Sequence, residues 1–158
     1  MQNDKTEKTK LARKIPFVFE LFFILTLIAV LVFTFWPKTK QQTLRINNTI
    51  VVIELAKTTL QKQQGLCCKN TLPEDQGMLF TFDTAGYYSF WMKDTLIPLD
   101  MYWINAEKKI VHIEPNVKPE SYPKQYGTSV IAQYVLETNA GYAKRHAIKV
   151  GQSVEFEL

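Results

Sequence analysis

Reactive side chains are scarce in this chain. Its 158 residues hold two histidines, His112 and His146, and two cysteines, Cys67 and Cys68. His112 alternates with Val111 and Ile113, as a strand residue does, and His146 follows Lys144 and Arg145 at the end of a short helical stretch. Nothing in the spacing sets either one beside a nucleophile. There is no GxGxxG, no P-loop and no HExxH, which removes the phosphate-cradling and zinc-protease signatures. Glu74 and Asp75 fall in a Pro-Glu-Asp-Gln-Gly turn and read as solvated residues rather than an acid/base pair. Repeats and low-complexity runs are missing. One-sided charge is missing too: residues 38–158 carry fourteen basic groups against twelve acidic ones. The net charge of +4 is therefore no nucleic-acid signature.

What the chain does have is one long oily run. Residues 15–36, IPFVFELFFILTLIAVLVFTFW, include a single charge, Glu20. A helix of that length rises about 33 Å, enough for a hydrocarbon core of roughly 30 Å. Glu20 lies about one turn inside the N-terminal end, where an interface tolerates it. Lys5, Lys8, Lys10, Arg13 and Lys14 precede the run, so the basic tail 1–14 is expected in the cytoplasm and the rest outside. A cleaved signal peptide is the rival reading. The run is long for that, and FTFWPKTKQQ offers no small-x-small cleavage site. The expected organisation is a tail over 1–14, a transmembrane helix over 15–36, a polar tether over 37–48 and a soluble domain over 49–158.

In that domain the β-branched and aromatic runs are short and closely spaced. TIVVIELA (49–56), MLFTF (78–82), YYSFWM (87–92), DMYWIN (100–105), KIVHIEP (109–115), VIAQYVLET (130–138) and SVEFEL (153–158) read as strands. DTAG (83–86) reads as a turn, and AEK joins a hairpin. Pro115, Pro119 and Pro123 mark a long loop. Thr58 and Gln61 have capping-box spacing for a short helix, and Asn139 begins another. The pattern predicts a mainly β domain, an antiparallel β-sandwich or barrel with two short helices, rather than βαβ units.

Two features remain as candidates. Cys67 and Cys68 are adjacent, and neighbours bridge poorly because the peptide between them is forced into strain. Two free thiols is the leading reading. A vicinal disulfide and a soft-metal thiolate pair stand beside it. The stretch SFWMKDTLIPLD (89–100) is the other candidate. Its strand alternation puts Tyr88, Phe90 and Met92 on one face and Tyr87, Ser89 and Trp91 on the other, and an opposite-charge pair follows. Asp94 suits a turn, and Asp100 is placed to bridge Lys93. The structural reading is a hydrogen-bonded corner. The functional reading is a concave spot built by Trp91, Lys93, Asp94 and Asp100.

GLCCKNTLPEDQGMLFTF (65–82), SFWMKDTLIPLDMYWIN (89–105) and VLETNAGYAKRHAIKVGQSVEF (135–156) resemble the three ordered blocks of a bacterial and archaeal family called domain of unknown function 192. The resemblance spans residues 50–157. It implies a compact, mostly β domain, often exported or membrane-tethered, with no established reaction, cofactor or substrate. It makes Gly77–Phe80 and Trp91–Lys93 the first choice of site-formers, with core packing as the other role. Asp94 departs from the amide usual in the family's WMKNT run. Cys67–Cys68 stand where members commonly carry Met or other residues.

The expectation is a single-span membrane protein displaying a non-enzymatic binding or envelope-associated module. Its partners would be the membrane and a small-molecule or envelope ligand, not nucleic acid. No catalytic residue, metal or cofactor is assigned. The alternatives are a hydrolase of envelope polymers with Asp94 or Asp100 as base, which a carboxylate beside His112 would favour, and thiol or metal chemistry at Cys67–Cys68.

Overall fold

A computed structural model describes residues 3–35, with side chains from 19 onward, and residues 41–158 apart from 128. It forms two compact units, 1–40 and 41–158. The first is a helix, α1 (Asn3–Phe35). Apolar side chains lie all around its described part and are exposed, Phe33 by 86% and Phe23 by 71%. Among the described residues no helix is long and apolar enough to cross a membrane. The side chains of 15–18 and all of Trp36 fall outside the description, and 19–35 alone is shorter than the roughly 20 residues a span takes.

The second unit is one seven-stranded sheet. Its elements are β1 (Gln42–Ile46), β2 (Thr49–Ala56), α2 (Thr59–Gln64), β3 (Gln76–Tyr87), β4 (Leu99–Ile104), β5 (Ile110–Val117), a 3₁₀ turn (Pro119–Ser121), β6 (Ile131–Asn139), α3 (Tyr142–Arg145) and β7 (Val154–Phe156). The strand order is β5-β4-β6-β3-β2-β1-β7. The sheet curls until its edges touch at one end, where Val154 donates to the Lys108 carbonyl at 2.8 Å and Ile110 to the Gln152 carbonyl at 2.9 Å. The mainly β expectation holds, and of its two forms the curled, barrel-like one is observed rather than two packed sheets.

Four local expectations need correction. Residues 42–46, assigned to the tether, form β1: Leu44 and Ile46 are fully buried against β2 and β7, and alternation outweighs the polar residues between them. The remainder of the tether up to residue 40 lies outside the described residues. β2 and β3 are parallel, so the chain does contain one βαβ unit, with α2 as its crossover. The capping box starts α2: Gln61 N–H donates to Thr58 Oγ1, and Gln61 Oε1 receives the Thr58 N–H. DTAG is not a turn. β3 runs through it to Tyr87 as an irregular bulge, and Gln133 Nε2 satisfies the Phe82 carbonyl at 3.2 Å. YYSFWM is then largely left without a strand partner. Tyr87 ends β3 opposite Ile131, and beyond it only Phe90 pairs, exchanging backbone bonds with Tyr126.

The sheet buries apolar side chains on both faces. One face gathers Leu44, Leu79, Tyr102, Leu136, Tyr142 and Ile148, with α3 over it. The other gathers Phe80, Met92, Met101, Trp103, Tyr126 and Val135, under the segment after α2 and the 88–98 loop. Each such side chain contributes about 1.5–3 kcal/mol on burial. β4 is buried along its whole length. Gly77 is required by close packing, since a Cβ there would lie 2.5 Å from the Glu137 carbonyl oxygen on β6.

Candidate functional site

The second face is not fully closed. A cleft of about 680 Å³ opens between α2 and residues 87–95. The local sequence builds each wall. α2 ends at Gly65, whose φ of +52° and ψ of −140° suit glycine alone, and the chain passes close over the Phe80 ring. Past β3, unpaired backbone lets residues 88–92 keep their alternation without a ladder. Phe90 turns inward and meets Phe80 edge-on at 4.7 Å, and Met92 is buried. Trp91 turns outward, 48% exposed, with Tyr122 5.9 Å away. Tyr88 stacks on Phe82 at 3.5 Å, and the Lys62 ammonium stands 4.6 Å from the Phe82 ring centre.

The four residues singled out from the sequence separate here. Trp91 and Lys93 line the cleft. Asp94 sits in the adjoining turn, exposed, with φ +55°. Thr95 N–H closes that turn onto the Met92 carbonyl. Its left-handed backbone is one that Asn and Asp tolerate best after Gly, so the amide usual in the family and the acid found here meet the same conformational demand. Asp100 is elsewhere: fully buried, on the opposite face of the sheet, and outside the cleft. It does not bridge Lys93. Its Oδ1 accepts from Asn116 N–H at 2.7 Å and Gly141 N–H at 3.0 Å, and Oδ2 accepts from Ala143 N–H at 2.8 Å. A carboxylate so engaged ties the end of β5 to the start of α3. It is not placed to act as a general base.

Cys67 and Cys68 are bonded to each other, which corrects the leading reading of free thiols. Cys68 N–H donates to the Asp94 carbonyl at 3.0 Å, so the pair also ties the end of the α2 segment to the turn beside the cleft. His112 does have a carboxylate beside it, Glu114 at 3.2 Å. The two are one strand repeat apart on the edge strand β5, and neither lines the cleft. They therefore make no site with Asp94 or Asp100. His146 packs on Tyr142 and contacts Thr49.

The residue that sequence reasoning missed is Glu137. It lies on β6 opposite Met78 of β3 and Met101 of β4. It is 4% exposed, and what remains open faces the cleft. Among the described residues no side chain or backbone group bonds to its carboxyl. Burial alone raises its pKa from the ordinary value to about 8, so at neutral pH it carries a proton. The sequence did hold a signal: Val135 and Glu137 share one face of a strand, and an acid in the middle of that apolar run has no evident solvent.

The protein-family comparison matches residues 41–156 to a family described as Uncharacterized ACR (DUF192). No curated protein matches the chain. Among solved structures, the chain is similar to a protein of Sinorhizobium meliloti 1021, described as a candidate transcription regulator, with 32% identity and a TM-score of 0.70, covering 74% of this chain and 94% of that one. It is also similar to a protein of unknown function from Novosphingobium aromaticivorans DSM 12444, with 29% identity and a TM-score of 0.67, covering 73% and 83%. A family match over most of the chain and a curled sheet shared with these structures lead to one assignment: the chain belongs to the domain of unknown function 192 family.

Proposed function

We propose that this protein is a membrane-anchored, extracytoplasmic binding module that captures a small amphipathic ligand in the cleft between α2 and residues 87–95. The observation that carries this reading is the cleft itself: an aromatic-walled concavity of about 680 Å³ with a few convergent polar groups, the usual build of a small-molecule site. Trp91 and Lys93 stand on its wall. Phe80 and Glu137 line it from β3 and β6. A helix apolar on every side, with its large side chains exposed, supports the anchor, because such a surface needs an apolar medium. The basic tail supports the orientation. A nucleic-acid role of the kind suggested for the S. meliloti protein would ask for a basic face, and the nearly balanced charge of residues 38–158 gives that role little support.

Saturation-transfer NMR on the full chain in nanodiscs tests the binding reading, with the blocked dipeptide N-acetyl-Leu-Phe-amide as a neutral amphipathic probe. Saturable transfer is expected, weakened at least tenfold by Trp91→Ala with melting unchanged. Equal transfer to the variant, or unfolding of the variant, would remove Trp91 from the site. Protease added to intact cells should digest residues 41–158, and their survival would refute the orientation.

A further inference from the structure

The buried carboxyl at the base of the cleft is the group that no structural role uses. Asp100, equally buried, receives three backbone N–H donors. Glu137 receives none among the described residues, and its cross-strand neighbours Met78 and Met101 offer only thioethers. With no protein partner, its oxygens are left open to the cleft, and a partner arriving through the cleft would bond to them. Two further observations indicate its chemistry. The cleft wall already holds an ammonium, that of Lys62 over the Phe82 ring at 4.6 Å, which shows the wall receiving a cation on a π face. The other charged groups lining the cleft are cations: Lys62 on α2, half-buried, and Lys93 in the turn, exposed.

Resting on the binding reading above, we propose that the cleft takes a zwitterionic ligand of the amino-acid or short-peptide class, its ammonium meeting Glu137 and its carboxylate meeting Lys62 and Lys93. One acid inside and two lysines nearer the surface match a molecule with a cation at one end and an anion at the other. The aromatic wall takes the apolar part between. The proton balance is simple. Glu137, protonated at neutral pH because burial alone raises its pKa to about 8, releases its proton to solvent as the ligand's ammonium enters and forms the ion pair. The titratable groups around it are Lys62, Lys93, Tyr87 and Tyr88. None of these compensates the carboxyl, since burial is the sole cause of the raised pKa.

Calorimetry on the full chain in nanodiscs tests this with three probes: the free dipeptide Leu-Phe, its N-acetyl form and its C-terminal amide. Leu-Phe should bind best. N-acetylation should cost at least tenfold and amidation less. In buffers of different ionisation enthalpy at pH 7, Leu-Phe should release most of one proton per molecule bound. Glu137→Gln, which keeps the shape, should abolish both the proton release and the preference for the free ammonium. Equal binding of Leu-Phe and N-acetyl-Leu-Phe to the unaltered protein would overturn the proposal without any variant, as would a Glu137→Gln protein that keeps the preference, or no binding of Leu-Phe at all. If the blocked dipeptide still gives Trp91-dependent transfer in those cases, the cleft binds ligands and only its assigned chemistry is wrong.

Discussion

Asp100 and Glu137 sit one register step apart on neighbouring strands, since Asp100 is opposite Thr138 and Met101 is opposite Glu137. Both are buried acids on the same curled sheet, yet they point to opposite faces and live under opposite conditions. Asp100 looks towards α3 and is surrounded by backbone N–H groups. Glu137 looks towards the cleft and is surrounded by apolar atoms. The first face is sealed and satisfied. The second is open, and its acid meets the cleft rather than a protein partner. Burial of an acid says nothing by itself about function. Its hydrogen-bond partners decide whether it holds the fold or waits for a ligand.

The comparison breaks most visibly at Asp100. Replacing it with Ala leaves three N–H groups without their acceptor, that of Ala143 buried, and should cost about 3 kcal/mol. Asp100→Asn keeps one acceptor oxygen but turns an amide donor on another donor, and should cost about 2 kcal/mol. Chemical denaturation measures both. A loss under about 1 kcal/mol for Asp100→Ala would show that the three bonds do not carry the loop packing.

Glu137 should respond in the opposite direction. Its pKa is raised from the ordinary 4.5 to about 8 on folding, so between those values the folded chain keeps a proton that the unfolded chain has lost. The stabilising contribution is complete below the unfolded value. It declines as pH rises, by something on the order of 3 kcal/mol at pH 7, and is exhausted once pH passes about 8. Glu137→Gln should flatten that decline. The variant should match the original near pH 4.5 and exceed it at pH 9, as read from denaturation midpoints at the two values. A variant with the same pH profile as the parent would show that Glu137 is solvated or paired.

Much of the fold was legible in the sequence because its elements follow local patterns. The capping box at Thr58 and Gln61, the hairpin around Asn105–Lys109 and the strand at 131–139 all rest on short-range chemistry. What escaped depends on distant partners. β1 is polar at three of its five positions and becomes a strand because β2 and β7 flank it. YYSFWM has ideal strand residues, but past Tyr87 it finds only Tyr126 to pair with. The candidate site was half legible for the same reason. Alternation put Trp91 and Met92 on opposite faces but did not say which one is buried. Whether Asp100 or Glu137 faced a cavity depended on which face of a folded sheet was closed, and no run of neighbours encodes that.

Within the cleft wall the expected effects are smaller. Trp91→Ala removes a half-exposed ring with one edge-on aromatic neighbour, so it should cost under about 1 kcal/mol of stability while weakening capture of the probe at least tenfold. A larger loss of stability would move Trp91 from the site to the core.

The smallest effect belongs to Asp94, and its sign separates a charge from a shape. If Asp94 matters through its left-handed backbone, Asp94→Asn should change stability by less than about 0.5 kcal/mol, because the amide tolerates the same conformation. Asp94→Ala should lose about 1 kcal/mol, because a Cβ without a short polar side chain is disfavoured at φ +55°. If instead its charge matters to the ligand, Asn and Ala would weaken Leu-Phe binding alike and by more than either changes the melt. Asp94 does not line the cleft, so the stability series should show the split between Asn and Ala and the binding series should not. The turn at Asp94 is then a hinge-pin for the wall that Trp91 and Lys93 occupy, held by the Cys68 N–H on its carbonyl, and its side chain serves the path of the backbone.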